Sequence, residues 1–204
     1  MNPKVKRVIG AAFGWTMCGA LFSVVPSCAG PSGDSSSNGP VVFIGDSLRS
    51  GDLVCRMGDG FFSDVFRRYS GGDERFSHIG VVHREDSLLF VVHAEASELT
   101  GVGSVRMDPL SDFLDHASDY AFYSVKEDSI RLRIDSFASD YALRNTPFDI
   151  SFDLASDSAL YCTELVATCI NRAAGDSSLV PAYPLRSGFS YYRIDDILRS
   201  GVVE

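Results

Sequence analysis

The order of the apolar segments is the feature that most constrains the fold of this chain. Several short, β-branched runs come first, and two longer segments with helical periodicity follow them. The predicted strands cover residues 41–44, 51–55, 79–83, 88–92, 104–107 and 120–125. Because strands and helices are grouped rather than alternating, the pattern predicts an α+β fold with an antiparallel sheet.

Short-range signals predict turns and short helices in the strand region. Asp86 and Ser87 separate two predicted strands, which are therefore expected to form a hairpin. Asp108 followed by Pro109 predicts a helix start, with Asp108 as N-cap and Pro109 at the first helical position. A further short helix is predicted over 61–69.

Two longer helices are predicted near the C-terminus. Asp128 is the expected N-cap of the first, whose apolar residues recur at helical spacing and form one stripe. The stripe consists of Ile130, Ile134, Phe137 and Tyr141. The second helix is predicted over 159–174, with Asp157 or Ser158 as N-cap.

The first 27 residues have the layout of a secretory signal. A short basic leader precedes an apolar run over 8–25, and small residues end the segment before Cys28. The sequence Val25-Pro26-Ser27-Cys28 resembles a bacterial lipobox, in which the cysteine is lipidated and becomes the new N-terminus. We therefore predict a lipoprotein signal over 1–27, with plain secretion or a retained anchor as alternatives. All three place the body outside the cytoplasm, and the lipoprotein signal places it in the cell envelope.

The rest of the chain divides into a tether and a body. Residues 28–40 are nearly all small or polar and predict a flexible tether, and 41–204 are predicted to form one domain. The formal net charge is -9 although the first 27 residues contain only basic charges. A body this acidic lacks the surface that nucleic acids or anionic headgroups require. We expect a monomer that meets the membrane only through its N-terminal lipid.

Cys162 is the first candidate for chemistry. It lies in the first turn of the second predicted helix, where the helix dipole and unpaired N–H groups favour a thiolate and lower the thiol pKa. The same N–H groups can stabilise an oxyanion beside the sulfur. Cys169, deeper in this helix, lacks that advantage. The alternative is that both cysteines are small buried core residues.

A base for this thiol is available among the four histidines. His78 begins one strand of the predicted hairpin and His93 ends the other, so both are expected at its open end. A thiolate and an imidazole oriented by a third polar group form the arrangement that acyl transfer needs. His83 is expected on the opposite face, near the turn and solvated, and His116 at a helix end; both are predicted to be structural.

Four short segments carry a resemblance to a known family. They are Gly51-Asp52-Leu53, Phe76–Val81, Pro147-Phe148-Asp149 and Tyr161–Val166. In this order they resemble the permuted papain-like enzymes of the NlpC superfamily, the YiiX/YaeF group, over residues 45–200. In that group the histidine strand precedes the cysteine helix, as it does here. The resemblance implies a circularly permuted papain-like fold, with an antiparallel sheet or barrel packed against two or three helices.

The resemblance also implies roles for individual residues. Cys162 is the implied nucleophile, and His78 the implied general base and acid. The third position of the group follows the next strand and is often glutamate. Here His93 matches it, as in lecithin retinol acyltransferase-like relatives, and Glu95 is the alternative.

The resemblance leaves the substrate open. Asp149 and Tyr161 are implied to lie in the loop and pocket beside the site. The ordinary branch of the superfamily cuts cell-wall peptides, and the permuted branch is linked to lipid-like or acyl substrates. The implied function is therefore a cell-envelope thiol hydrolase: an amidase or peptidase, or an acyl hydrolase or transferase. Its substrate would be a peptidoglycan fragment or a lipid-like amide or ester, and no metal or organic cofactor is implied.

Three other hypotheses compete with this one. Gly45-Asp46-Ser47-Leu48 is the nucleophile block of GDSL-type serine esterases, but the late histidine that such enzymes need is missing. A metal site from His78, His93 and Cys162 is conceivable because zinc accepts these ligands, yet no HExxH motif is present. The third hypothesis is a non-catalytic ligand-binding lipoprotein on the same scaffold.

Overall fold

The computed structural model describes residues 47–58, 67–115, 117–184 and 189–204. Several predictions fall outside these residues: the signal, the tether with Cys28, the strand at 41–44, most of the helix at 61–69, and His116. Within the described parts of the chain, no helix is both long enough and apolar enough to cross a bilayer.

Five strands form one antiparallel sheet. They are β1 (Leu53–Met57), β2 (His78–Glu85), β3 (Leu88–Ala96), β4 (Gly103–Pro109) and β5 (Asp119–Tyr123). Their order across the sheet is β4-β3-β2-β1-β5, and every neighbouring pair is antiparallel. The predicted hairpin is formed by β2 and β3, and Asp86 in its turn has a φ of 52°. Aspartate is one of the residues that tolerate this left-handed conformation.

Four α-helices occur in the described residues. They are α1 (Leu110–Leu114), α2 (Asp128–Leu143), α3 (Cys162–Ala174) and α4 (Ile194–Arg199). Two short strands, β6 (Tyr183–Pro184) and β7 (Ser190–Tyr191), pair as a separate ribbon. The stripe predicted for α2 faces the core, since Ile134 and Tyr141 are buried. The predicted α+β class with an antiparallel sheet is confirmed.

Strand alternation divides the apolar side chains between two clusters. Ile79 and Val81 of β2 belong to the larger cluster, which α2 and α3 cover. Val82 and Val91 belong to the smaller one, together with Phe113 of α1. Successive side chains of a strand point to opposite faces. Both faces of the sheet are therefore packed, with one apolar cluster on each face.

Helix α3 begins later than expected. Its first residue is Cys162 and its N-cap is Tyr161, whereas the two expected caps, Asp157 and Ser158, make other contacts. The Asp157 carboxylate accepts hydrogen bonds from the hydroxyl of Tyr141 at 2.6 Å and from Arg172 at 3.2 Å. The cysteine therefore occupies the first helical position, where backbone N–H groups have no partner within the helix.

The short helix α1 also departs from the prediction. Its N-cap is Pro109, with φ -51° and ψ 141°, and the helix begins at Leu110. Asp108 belongs to strand β4 and pairs with Val91 of β3. An Asp-Pro pair is a common helix start, but here the ladder with β3 continues through both residues. This displacement frees the Asp108 side chain for another partner.

Candidate active site

A cavity of about 850 Å³ opens at the start of α3. Its walls come from the open ends of β2 and β3, the loops at 97–101 and 148–152, and the segment 189–194. Both Cys162 and His78 line it. Two residues that lie far apart in the chain are thus brought to one cavity.

The open end of the hairpin makes room for this meeting. Pairing between β2 and β3 runs from Glu85↔Leu88 to Val81↔Val92. Beyond that point comes Gly80, where a Cβ would lie 2.5 Å from Cγ1 of Val91 and 3.2 Å from Cβ of His93. Real Cβ atoms do not approach so closely, so a glycine is required here for space and not for a special φ.

The sulfur of Cys162 is surrounded by backbone donors and is partly buried. The backbone N–H groups of Thr163, Ile79 and Cys162 itself favour the thiolate. Burial outweighs them and raises the pKa of the Cys162 thiol to about 11. The expectation of a lowered thiol pKa is therefore wrong, because desolvation costs more than the helix start contributes.

The imidazole of His78 is held by a second imidazole. Its Nε2 lies 2.9 Å from Nδ1 of His93, and the two rings meet edge to face at 89°. The ring of Phe113 packs against both, with centroids 5.6 and 5.0 Å away. Burial, with the charges of His93 and two arginines, holds the pKa of His78 well below its usual range. His78 is therefore neutral near pH 7 and able to accept a proton.

The hydrogen-bond chain continues from His93 to Asp108. Nε2 of His93 lies 3.0 Å from Oδ2 of Asp108, and Nε of Arg106 donates to the same oxygen at 2.7 Å. The hydrogen bond from His93 holds the pKa of Asp108 below its ordinary value. Sequence reasoning missed this residue. Period-two alternation along β4 would have found it, because residues 106 and 108 share the face of His93 once their strand is extended.

Glu95, the alternative third residue, makes different contacts. Its carboxylate accepts hydrogen bonds from Arg56 at 2.5 Å and from Arg106 at 2.7 Å. Glu95 lines the cavity, but Nε2 of His78 is hydrogen-bonded to His93 and not to Glu95. Glu95 thus forms ion pairs with two arginines beside the site.

Three of these residues have donor atoms that a metal ion could use. One donor atom each from His78, His93 and Glu95 lie within 4.8 Å of one another. The two histidines are hydrogen-bonded to each other, and Glu95 is engaged by two arginines. Cys162, the third ligand of the zinc hypothesis, is not in this group. A metal ion here would have to replace the hydrogen bond between the two histidines and the ion pairs of Glu95.

The two predicted loop and pocket residues have different positions. Asp149 is buried and accepts hydrogen bonds from the backbone N–H groups of Ser151 and Asp153, at 2.8 and 2.6 Å. It holds the loop whose neighbouring side chains form part of the cavity wall. Tyr161 lines the cavity itself, and its hydroxyl accepts a hydrogen bond from the N–H of Tyr192 at 2.9 Å.

Two remaining candidates lie away from the cavity. His83 is not solvated as expected, because its Nδ1 lies 2.7 Å from the carboxylate of Asp135 on α2. It is nevertheless part of the packing between sheet and helix, and it is not a lining residue of the cavity. Ser47 is exposed and does not line the cavity either.

The fold and the site together define a class of protein. An antiparallel sheet, a helix that begins with a cysteine, and a histidine strand that comes earlier in the chain are the parts of a permuted papain-like protein. The family described as permuted papain-like amidase enzyme, YaeF/YiiX, C92 family, matches residues 47–179. The chain belongs to this family, so the resemblance stated from the sequence is confirmed. Amidases are hydrolases, and this is the class of activity that the family supports.

A solved structure is similar to this one. The crystal structure of the metalloprotein YiiX from Escherichia coli O157:H7 matches with a TM-score of 0.62 and 16% sequence identity. The match covers 76% of this chain and 94% of that chain. At this identity the similarity shows the fold alone. A search of curated proteins gives no match.

Proposed function

We propose that this protein is a cell-envelope thiol hydrolase that attacks an amide or ester carbonyl with Cys162. The observation that carries the proposal is the cavity that Cys162 and His78 share at the start of α3. An amidase family supports the reaction class. A nucleophile must be accessible to its substrate. Cys162 is partly exposed, whereas Cys55 and Cys169 are fully buried.

The protonation states suggest how the reaction begins. The thiol has a pKa of about 11 and the pKa of His78 is well below its usual range, so both groups are neutral near pH 7. His78 then removes the thiol proton as the sulfur attacks the carbonyl, and an acyl-enzyme forms. Backbone N–H groups at the start of α3 stabilise the oxyanion. His78 returns the proton to the leaving group, and water or another acceptor releases the acyl group.

The walls of the cavity favour a lipid-like acyl substrate over a cell-wall peptide. Most of the lining is apolar, and several of its large side chains are exposed at the mouth: Leu99, Ile150, Phe189 and Tyr69. Such a surface gains free energy when it buries hydrocarbon. A peptidoglycan stem peptide carries several charges. Of the charged lining residues, Arg56 and Glu95 are paired with each other, and only the exposed Glu98 is left at the described rim to meet them.

A substrate panel tests this proposal. Purified protein is incubated with N-acyl amino acids and lipid esters of increasing chain length, and with cell-wall fragments. We expect hydrolysis of the long-chain acyl compounds by the wild type, and none by Cys162→Ala or His78→Gln. His83→Gln is the matched control, because His83 lies outside the cavity, and it is expected to keep its activity. Activity that survives Cys162→Ala would overturn the proposal.

The location in the cell envelope is proposed from the N-terminal sequence alone. The basic leader, the apolar run and Cys28 support a lipoprotein signal. Metabolic labelling with an alkyne fatty acid should label the wild type in a bacterial host and leave Cys28→Ala unlabelled. Equal labelling of both would contradict lipidation at this cysteine.

Ligand binding without catalysis is a second candidate function. It is favoured by the resting thiol, which stays protonated at neutral pH because of burial. Under this alternative, the panel compounds would bind with similar affinity to wild type and Cys162→Ala, and neither would release product.

A further inference from the structure

A chain of side-chain hydrogen bonds leads from His78 through His93 to Asp108, and Cys162 is not part of it. The chain consists of two contacts: Nε2 of His78 to Nδ1 of His93 at 2.9 Å, and Nε2 of His93 to Oδ2 of Asp108 at 3.0 Å. Each of the two contacts requires one hydrogen atom. Which atom carries that hydrogen is decided at the Asp108 end.

An ionised carboxylate can only accept hydrogen bonds. Oδ2 of Asp108 already accepts one from Nε of Arg106 at 2.7 Å, and the pKa of Asp108 lies below its ordinary value. Nε2 of His93 must therefore carry a hydrogen. Arg56 and Arg106 together balance the charges of Glu95 and Asp108, so His93 need not be an imidazolium. In neutral His93 the other nitrogen, Nδ1, then has a lone pair and accepts.

This assignment propagates to His78. Because Nδ1 of His93 accepts, Nε2 of His78 carries a hydrogen and donates it. The remaining nitrogen of neutral His78, Nδ1, is then unprotonated and able to take a proton. The opposite assignment would place the hydrogen on Nδ1 of His78, and such an imidazole could not act as the base.

The two imidazoles are enclosed, so their tautomers depend on the few groups that contact them. His93 is 1% exposed, and Phe113 packs against the rings of both histidines. The cationic groups that face the pair are Arg106 of β4 and Arg56 of β1. Both form ion pairs with Glu95. Cation, carboxylate and phenyl ring together hold the two imidazoles in one orientation.

We propose that Asp108 is a positioning residue that sets, through His93, the tautomer in which His78 can accept a proton. The role in catalysis rests on the proposed function, in which His78 is the base. The tautomers themselves do not, and they can be measured without any substrate.

Nitrogen NMR of the full-length protein labelled with ¹⁵N-histidine tests the proposal. Long-range ¹⁵N–¹H couplings and shifts distinguish a ring protonated at Nε2 from one protonated at Nδ1 and from an imidazolium. At neutral pH we expect both His78 and His93 to be neutral and protonated at Nε2. Protonation of His78 at Nδ1, or an imidazolium at His93, would overturn the proposal even if no variant folded.

The variant Asp108→Ala tests the role of the carboxylate. We expect a fraction of His78 to become protonated at Nδ1, and hydrolysis of the panel compounds to slow in proportion to that fraction, about twofold if half of the rings change. Asp135→Ala is the matched control, since Asp135 makes the corresponding contact to His83. It should change only the His83 signals and leave the rate of hydrolysis unaltered.

The outcomes separate this proposal from the proposed function. If Asp108→Ala folds and His78 keeps its wild-type tautomer, Asp108 has no positioning role, whatever the protein hydrolyses. If the tautomers are as expected and the substrate panel yields no product, the positioning role stands and the assignment as a hydrolase fails.

Discussion

The backbone N–H of Ile79, the residue that follows His78, favours the thiolate of Cys162. This interaction joins the first residue of α3 to the second residue of β2. It places the sulfur against the strand that carries His78, at the end of the hairpin where β2 and β3 have ceased to pair. The chemistry of the site depends on this junction between two distant segments.

The reactivity of Cys162 should depend steeply on pH. A thiol with a pKa of about 11 is almost entirely protonated at pH 7. Only the thiolate reacts with iodoacetamide, so the labelling rate should rise about tenfold per pH unit between pH 7 and 10. Mass spectrometry of labelled peptides measures this rate. A plateau near pH 7 would mean that the pKa is low.

The other described cysteines provide the internal comparison for this experiment. Cys55 and Cys169 are 0% exposed, and burial raises the pKa of each. They should label much more slowly than Cys162 throughout the pH range. Equal and slow labelling of all three would favour the ligand-binding alternative.

Stability should fall as the pH rises because of Glu164. Burial, with the charges of three nearby aspartates, raises the pKa of Glu164 from the ordinary 4.5 to about 8. Between these values the folded state holds the proton more tightly than the unfolded chain does. The free energy of unfolding therefore decreases as pH rises from 4.5 to 8, by up to about 1.4 kcal/mol per pH unit.

The variant Glu164→Gln isolates this contribution. Glutamine keeps the shape of the side chain and removes its titration, so the variant should lose this part of the pH dependence and be the more stable protein above pH 8. Urea unfolding at pH 5, 7 and 9 measures the difference. Glu127→Gln, a change at an exposed glutamate, is the control and should leave the wild-type pH dependence intact.

A methyl group at Gly80 should disturb the site. The added Cβ would meet Val91, and it would press on the Cβ of His93. We expect Gly80→Ala to cost about 1–3 kcal/mol of stability, as other overpacked sites do. It should also weaken the contact between the two imidazoles. Gly72→Ala is the control: its nearest neighbour would be an Asp195 oxygen at 3.9 Å, so thermal unfolding should show little change.

The apolar side chains at the mouth of the cavity should make the enzyme prefer substrates with long acyl chains. Leu99 is 97% exposed and lines the cavity, so Leu99→Gln removes apolar contact area without disturbing the core. We expect KM for long-chain acyl substrates to rise about threefold to tenfold, and KM for short-chain ones to stay constant. Leu132→Gln, on α2 and also exposed, serves as control. Equal effects of the two variants would argue against the acyl-chain surface.

Most elements of the fold were predictable from the sequence. The strands of the hairpin and the helix over Asp128–Leu143 have strong local patterns of side-chain alternation and periodicity. Helix caps were less predictable. Asp108 and Asp157 both have the chemistry of an N-cap, yet both bind side chains that the fold brings from elsewhere. A cap competes with tertiary partners, and a local pattern does not contain them.

The candidate site was predictable as a set of residue types. Cys162 and His78 could be named because their neighbours in the chain have a recognisable pattern, and His93 because hairpin pairing is local. The choice between His93 and Glu95 as the partner of His78 needed coordinates, because both residues project from the same face of β3. Two arginines that engage Glu95 come from β1 and β4, and their approach is a property of the whole sheet.

The sequence by itself determined the α+β class, the order of histidine strand before cysteine helix, and thereby the permuted papain-like family. These follow from periodicity and short motifs, which are local in the chain. Only the tertiary structure decided the protonation of the thiol and the place of Asp108. Both depend on how much water is excluded and on which charges approach from other strands. Desolvation and long-range pairing are sums over neighbours in space, and those neighbours are assembled only when the chain folds.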